Sequence, residues 1–241
     1  MPVLVYQMGR VGSTTVMGAL KERGIKAEHA HYAFHPLGEF TLAKHLNIGK
    51  ALLTDKEEWR IISIAREPMA RNLSAFLFGL NNNIYPHKDF KPERLMNLFV
   101  HTYRHDWCFN WFTNELGQIV NVYEHRFNRE MHYQRFFLEE RRNFKKRDVV
   151  IIRTENFGEY GWLWQWFLGQ ENLRLETITN SVSDKFWYYH LLKQYMRGKL
   201  PKALLTKYYF DEPYTKHFYS LEERKALLEY WSDPFAPMVE W

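Results

Sequence analysis

The chain opens on an apolar run, Val3-Leu4-Val5-Tyr6, that breaks at Gly9-Arg10-Val11-Gly12 and resumes with helical spacing at Val16, Met17 and Leu20 before Gly24. An unbroken β-favouring run predicts a strand covered on both faces, as in a parallel sheet. The spacing after it predicts a short amphipathic helix ended by a glycine. The pattern then recurs. "KAEHAHY" (26–32) predicts a short second strand, 39–45 a helical stretch, and "WRIISIAREP" (59–68) a buried strand entering a helix at Pro68, a residue suited to the first helical position. Asn and Pro through 80–92 predict a long loop, and helical spacing returns over 93–101 and 105–116. "QIVNVY" (118–123) and "DVVIIRTENF" (148–157) predict further strands. From Trp162 the pattern is mainly helical, closing on "SLEERKALLEYW", where Ser220 and Glu223 have capping-box spacing. Strands alternating with helices predict an α/β fold around a mainly parallel sheet.

The break at 9–15 carries the first chemistry. A loop between a buried strand and a helix N-terminus presents unpaired backbone N–H groups and the positive end of the helix dipole, which favour an anion. Gly9 and Gly12 let the backbone turn and approach it; Ser13, Thr14 and Thr15 add hydroxyl donors. Phosphate binding is the natural reading, and a tight turn without ligand the bland one. The loop is not Walker A, which needs Lys before Ser or Thr after its last glycine. Here Gly12 is followed by Ser13 and Thr14, and the positive charge is Arg10.

Composition narrows the class. The chain has 241 residues, 46% apolar and 25% charged, as an ordinary globular protein does. Aromatics reach 17%, with most expected in the core and some available to stack on bases or sugars. A net charge of +5 and a pI near 9.1 suit an anionic ligand but are too mild to argue nucleic acid. The basic run 141–147 predicts a solvated turn. With Cys108 the single cysteine, disulfides and cysteine metal sites within the chain are excluded. No apolar run suggests a membrane span or a signal peptide, so a cytoplasmic location is expected. Neither repeat nor linker interrupts the chain, which reads as one domain over 1–241. Residues 1–157 would form an α/β nucleotide-binding core and 158–241 a helical C-terminal part.

"RIISIAREPMARNLSAFL" (60–77) repeats the logic of the opening stretch. Arg66 ends a buried strand, at the sheet edge where open α/β folds bind ligands. Arg71 and Ser74 share a side of the helix that follows. An arginine fork and a hydroxyl suit a phosphate clamp, although pairing of Arg66 with Glu67 or with carbonyls is the structural alternative.

Together, "GRVGSTT" and "REPMARNLSAF" resemble the sulfotransferase family, which transfers a sulfuryl group from 3′-phosphoadenosine 5′-phosphosulfate. "HAHYAF", "VVIIRTENF" and "HFYSLEERKALLEYWSDPF" are similar to segments of carbohydrate sulfotransferases. "SDKFWYYHLL" resembles a bacterial branch associated with capsular polysaccharide synthesis. The resemblance implies a three-layer P-loop-like fold with helices flanking a central sheet. It implies Arg10, Val11, Gly12, Ser13, Thr14 and Thr15 on the 5′-phosphosulfate, and Arg66 and Ser74 on the 3′-phosphate. It also implies 3′,5′-adenosine diphosphate as product, no metal, and a hydroxylated acceptor such as a carbohydrate. Many members carry lysine where this chain has Arg10. Arginine keeps its proton, so Arg10 is expected to neutralise charge on the bridging oxygen.

For the base, His31 lies at the end of the predicted second strand and His29 shares that strand's face. The resemblance places a catalytic histidine in such a stretch in some carbohydrate-modifying members. Glu115 and Glu155 are further candidates for base or acceptor ligand. His101 and His105, four apart, are a weak metal pair without a third ligand. Trp107, Trp111, Trp187 and Tyr188 are candidates for an acceptor groove or for core. Two other functions compete: a P-loop kinase, disfavoured by the missing lysine, and a nucleotide- or glycan-binding protein on the same fold without catalysis.

Overall fold

The computed structural model describes residues 1–34, 47–49, 51, 58–81, 91–139, 146–171, 173, 175 and 188–237. The helix expected at 39–45, most of the loop at 80–92, most of the basic run and Trp187 lie outside them.

The chain forms a five-stranded sheet: β1 (Val3–Tyr6), β2 (Ala27–Ala30), β3 (Trp59–Ala65), β4 (Tyr133–Leu138) and β5 (Arg147–Arg153), in the order β2-β1-β3-β5-β4. The first three and β5 are parallel, while β4 joins β5 antiparallel at the edge. β1 and β5 are buried at every position; β1 is an unbroken apolar run, and in β5 the apolar Val149–Ile152 is flanked by the buried charged residues Arg147, Asp148 and Arg153. Helix α1 (Ser13–Glu22) follows β1 and ends before Gly24, whose φ is 68°.

The expected strand at 118–123 does not form. Its residues make two 3₁₀ turns, Leu116–Gln118 and Val122–Glu124. The buried Gln134 explains why: its Nε2 donates to the carbonyls of Val122 (3.0 Å) and His125 (2.8 Å), so a side chain takes the place of a ladder. Gln134 sits in β4, a strand not foreseen from the pattern. β5 is also shorter than its predicted run, because Thr154–Glu159 turns into 3₁₀ helix.

Further helices are α2 (Pro68–Asn81), α3 (Pro92–Thr102), α4 (Trp107–Asn114), α5 (Gly161–Leu168), α6 (Tyr188–Met196), α7 (Lys202–Thr206), α8 (Pro213–Phe218) and α9 (Leu221–Ser232). A π turn, Lys207–Asp211, extends α7. The capping box at α9 is present in both directions: Glu223 N donates to Ser220 Oγ and Ser220 N to Glu223 Oε2. No helix among the described residues is long and apolar enough to cross a membrane.

The chain divides into two compact units. The first comprises Met1–Arg66 and Asn110–Ile178 and holds the whole sheet; the second comprises Glu67–Phe109 and Thr179–Trp241. In the second, Glu67 caps α2 by accepting from Met69 N (2.8 Å), Ala70 N (2.6 Å) and the Tyr209 hydroxyl (2.6 Å). Phe76, Phe99 and Tyr103 pack ring to ring there, at 5.4–6.0 Å between centroids.

Candidate functional site

Strand order reverses at β1: β2 lies on one side and β3 on the other. In open α/β sheets such a switch point, at the carboxyl ends of the strands, is where ligands bind. The residues directly following the four parallel strands are Gln7, His31, Arg66 and Thr154. All four take part in one arrangement around the loop after β1.

That loop is held by its carbonyls. Arg66 Nη1 donates to Arg10 O at 2.8 Å. Thr154 Oγ1 donates to Val11 O at 2.6 Å and also lies 3.2 Å from Ala65 O. Gly12 O begins α1 by accepting from Thr15 N (3.0 Å) and Val16 N (3.4 Å). In a trans peptide each carbonyl points opposite to the next residue's N–H. The N–H groups of Val11, Gly12 and Ser13 are therefore aimed away from Arg66, Thr154 and the first helical turn. The backbone achieves this with positive φ at Arg10 (72°) and Gly12 (88°). A row of N–H groups at the positive end of a helix is an anion cradle. Of the three hydroxyl residues, Ser13 and Thr15 are buried and Thr14 is exposed.

His31 stands beside the cradle. β2 pairs with β1 through Tyr6 and Ala30, and Gln7 N donates to Ala30 O at 3.2 Å, which sets His31 level with the start of the loop. A Cβ built on Gly9 would lie 4.0 Å from His31 Cε1. His29 is paired with Val5 inside the strand, so His31 is the nearer of the two to the loop. Gln7, fully buried, holds both rings: its Nε2 is 3.1 Å from His29 Nε2 and 3.0 Å from His31 Nδ1. His31 Nδ1 is also 3.2 Å from Gln7 O, and the rings meet edge-on at 4.6 Å.

Glu115 and Trp111 lie behind this pair. The Tyr6 hydroxyl donates to Glu115 Oε2, and so do Ala33 N (2.8 Å) and Phe34 N (3.0 Å). Burial, and then the Glu115 charge, push the Tyr6 hydroxyl far above its ordinary pKa, which keeps it a donor. Glu115 is 1% exposed and is committed to shaping the turn after β2. Trp111 Nε1 donates to His31 O at 2.6 Å, and its ring meets Tyr6 edge-on at 5.0 Å. Trp111 is thus core rather than groove, and it fixes the backbone of His31. Glu155 lies in the 3₁₀ turn after β5, partly exposed.

Ser74 and Arg71 belong to the second unit. Ser74 is buried in α2. Arg71 is also buried, and its Nη1 donates to Asn72 Oδ1 (2.9 Å) and the Tyr103 hydroxyl (3.2 Å). His105 is engaged by Tyr208 at Nδ1 and by Phe99 O at Nε2, and His101 is exposed. No group of His, Cys, Asp and Glu among the described residues could hold a metal.

Sequence reasoning missed Gln7, Thr154 and Tyr6. The one available signal was position: each stands at or just past the end of a buried run. Comparison of the chain with protein-family models, with curated proteins and with solved structures returns no match.

Proposed function

We propose that this chain is a sulfotransferase on a P-loop-like fold, moving the sulfuryl group of 3′-phosphoadenosine 5′-phosphosulfate to a hydroxyl of a carbohydrate or other polyhydroxylated acceptor. The observation that carries the reading is the loop after β1. Its carbonyls are tied to Arg66 and Thr154, so that the amides on the other side of those peptides point away from both, and the His31 ring lies beside Gly9.

The residues present fit an anionic donor. The N–H groups of Val11, Gly12 and Ser13 hold the 5′-phosphosulfate, and the fixed charge of Arg10 offsets the negative charge that grows on the bridging oxygen. Arg66 supplies a second fixed charge at the end of β3 for the 3′-phosphate. The acceptor oxygen bonds to sulfur as the bond from sulfur to the bridging oxygen breaks, and His31 takes the hydroxyl proton. Positioning and electrostatics do most of the work.

Calorimetry with 3′,5′-adenosine diphosphate is the test, and binding in the presence of EDTA is expected. Arg66→Ala should weaken it by about 2–4 kcal/mol, the range for losing a charge-assisted contact. AMP should weaken too, because Arg66 also braces the Arg10 carbonyl. Absence of binding, or binding only with magnesium restored, would overturn the reading in favour of a different phosphate ligand.

A further inference from the structure

Gln7 is a fully buried polar residue placed between two imidazoles, and its geometry constrains both. A side-chain amide has two faces of opposite character: the NH₂ only donates and the oxygen only accepts. A neutral imidazole likewise carries one N–H and one lone pair. Whichever end of the Gln7 amide faces the rings meets His29 Nε2 and His31 Nδ1 together, at 3.1 and 3.0 Å. With the NH₂ toward them both nitrogens must be lone pairs; with the oxygen toward them both must be N–H.

We propose that Gln7 is a positioning residue that couples the tautomers of His29 and His31 and thereby selects which nitrogen of His31 carries its proton. The facing atoms are Nε2 in one ring and Nδ1 in the other, so the neutral rings always hold opposite tautomers. With the amide oxygen inward, His31 is the Nδ1–H form, and the main-chain Gln7 O at 3.2 Å is a second acceptor for that proton. Its Nε2 is then a base. With the NH₂ inward, Nε2 carries the proton and the ring is a donor instead. A half-turn of one amide, which changes no volume, exchanges the two forms. The use of this selection rests on the reading of His31 as the acceptor's base; the coupling itself does not.

Long-range ¹H–¹⁵N correlation spectra of the histidine rings test it, at about pH 9, well above the ordinary histidine pKa. In the unsubstituted chain one ring should be Nδ1–H and the other Nε2–H. Gln7→Leu removes the shared amide and should uncouple the two rings, so that they need no longer be opposed, while the main-chain carbonyl of residue 7 remains an acceptor for His31 Nδ1. Gln7→Glu, nearly isosteric and acceptor-only, should protonate both facing nitrogens, and it decides the matter even if the leucine variant fails to fold. The same tautomer in both rings of the unsubstituted chain, or a facing nitrogen left unprotonated in Gln7→Glu, would overturn the proposal. Calorimetry with 3′,5′-adenosine diphosphate on the same samples separates this from the functional reading: opposed tautomers without nucleotide binding would sink only the latter.

Discussion

Gly12 and Gly24 both have positive φ, at 88° and 68°, yet their surroundings differ. A Cβ on Gly12 would sit 2.8 Å from Phe157 Cε2, whereas one on Gly24 would meet nothing within 4 Å. Gly24→Ala should therefore cost only the left-handed backbone term, about 1–2 kcal/mol. Gly12→Ala adds overpacking against an aromatic ring and should cost about 1–3 kcal/mol more. Urea unfolding of the two variants checks this, and equal losses would show that the Phe157 ring gives way freely. At this scale the sequence was informative wherever a residue type is needed by its own backbone, as at Gly12. It was silent on residues defined by their partners. Glu115 reads as a candidate base from its charge alone. Its structural commitment depends on Tyr6 and Ala33, 109 and 82 positions away. Thr154 reaches Val11 across 143.

Elements were legible where hydrophobic period and burial agree, and not elsewhere. β3 and β5 have apolar centres, Ile61-Ile62 with Ile64-Ala65 and Val149–Ile152, that are buried on both faces, as central strands of a parallel sheet are. β4 is an edge strand with Gln134 buried on one face and Arg135 on the other, so no apolar run announces it. "QIVNVY" has the composition of a strand but finds its partner in the Gln134 amide. His105, between α3 and α4, gives an element-scale prediction. Its Nε2 donates to Phe99 O at 2.7 Å, so its Nδ1 accepts from Tyr208, whose oxygen in turn accepts from Asn72 Nδ2 at 2.5 Å. Every group is satisfied only while the ring is neutral. Burial above all holds the His105 pKa below its ordinary value of 6.5. The unfolded chain therefore binds the proton more readily, and the contribution of His105 to stability is present above about pH 6.5 and lost as pH falls below it. Melting curves at pH 7.5 and 5.5 should show a drop that is smaller in His105→Gln. An equal drop in the variant would assign the acid sensitivity to other groups.

For the whole molecule, alternation of strands and helices was enough for an α/β fold with a mostly parallel sheet. Strand order was not readable, and with it the switch point that gathers Gln7, His31, Arg66 and Thr154 at one edge. The sequence also reads as one domain, while the structure divides into two compact units. One domain makes a definite demand: a ligand on the first unit must protect a group in the second. Cys108 is the reporter. It is the single cysteine, it is fully buried, and burial pushes its thiol up to about 12. A buried, protonated thiol reacts with alkylating reagents only when its surroundings open. Labelling at pH 8 should accordingly be slow, and its rate should follow the opening equilibrium. A nucleotide present at a hundred times its dissociation constant stabilises the bound fold by about 2.7 kcal/mol. If the chain opens as one body, 3′,5′-adenosine diphosphate at that level should slow Cys108 labelling by about a hundredfold. A rate unchanged by a nucleotide that calorimetry shows to be bound would mean that the second unit opens by itself, and the chain would then count as two folding units.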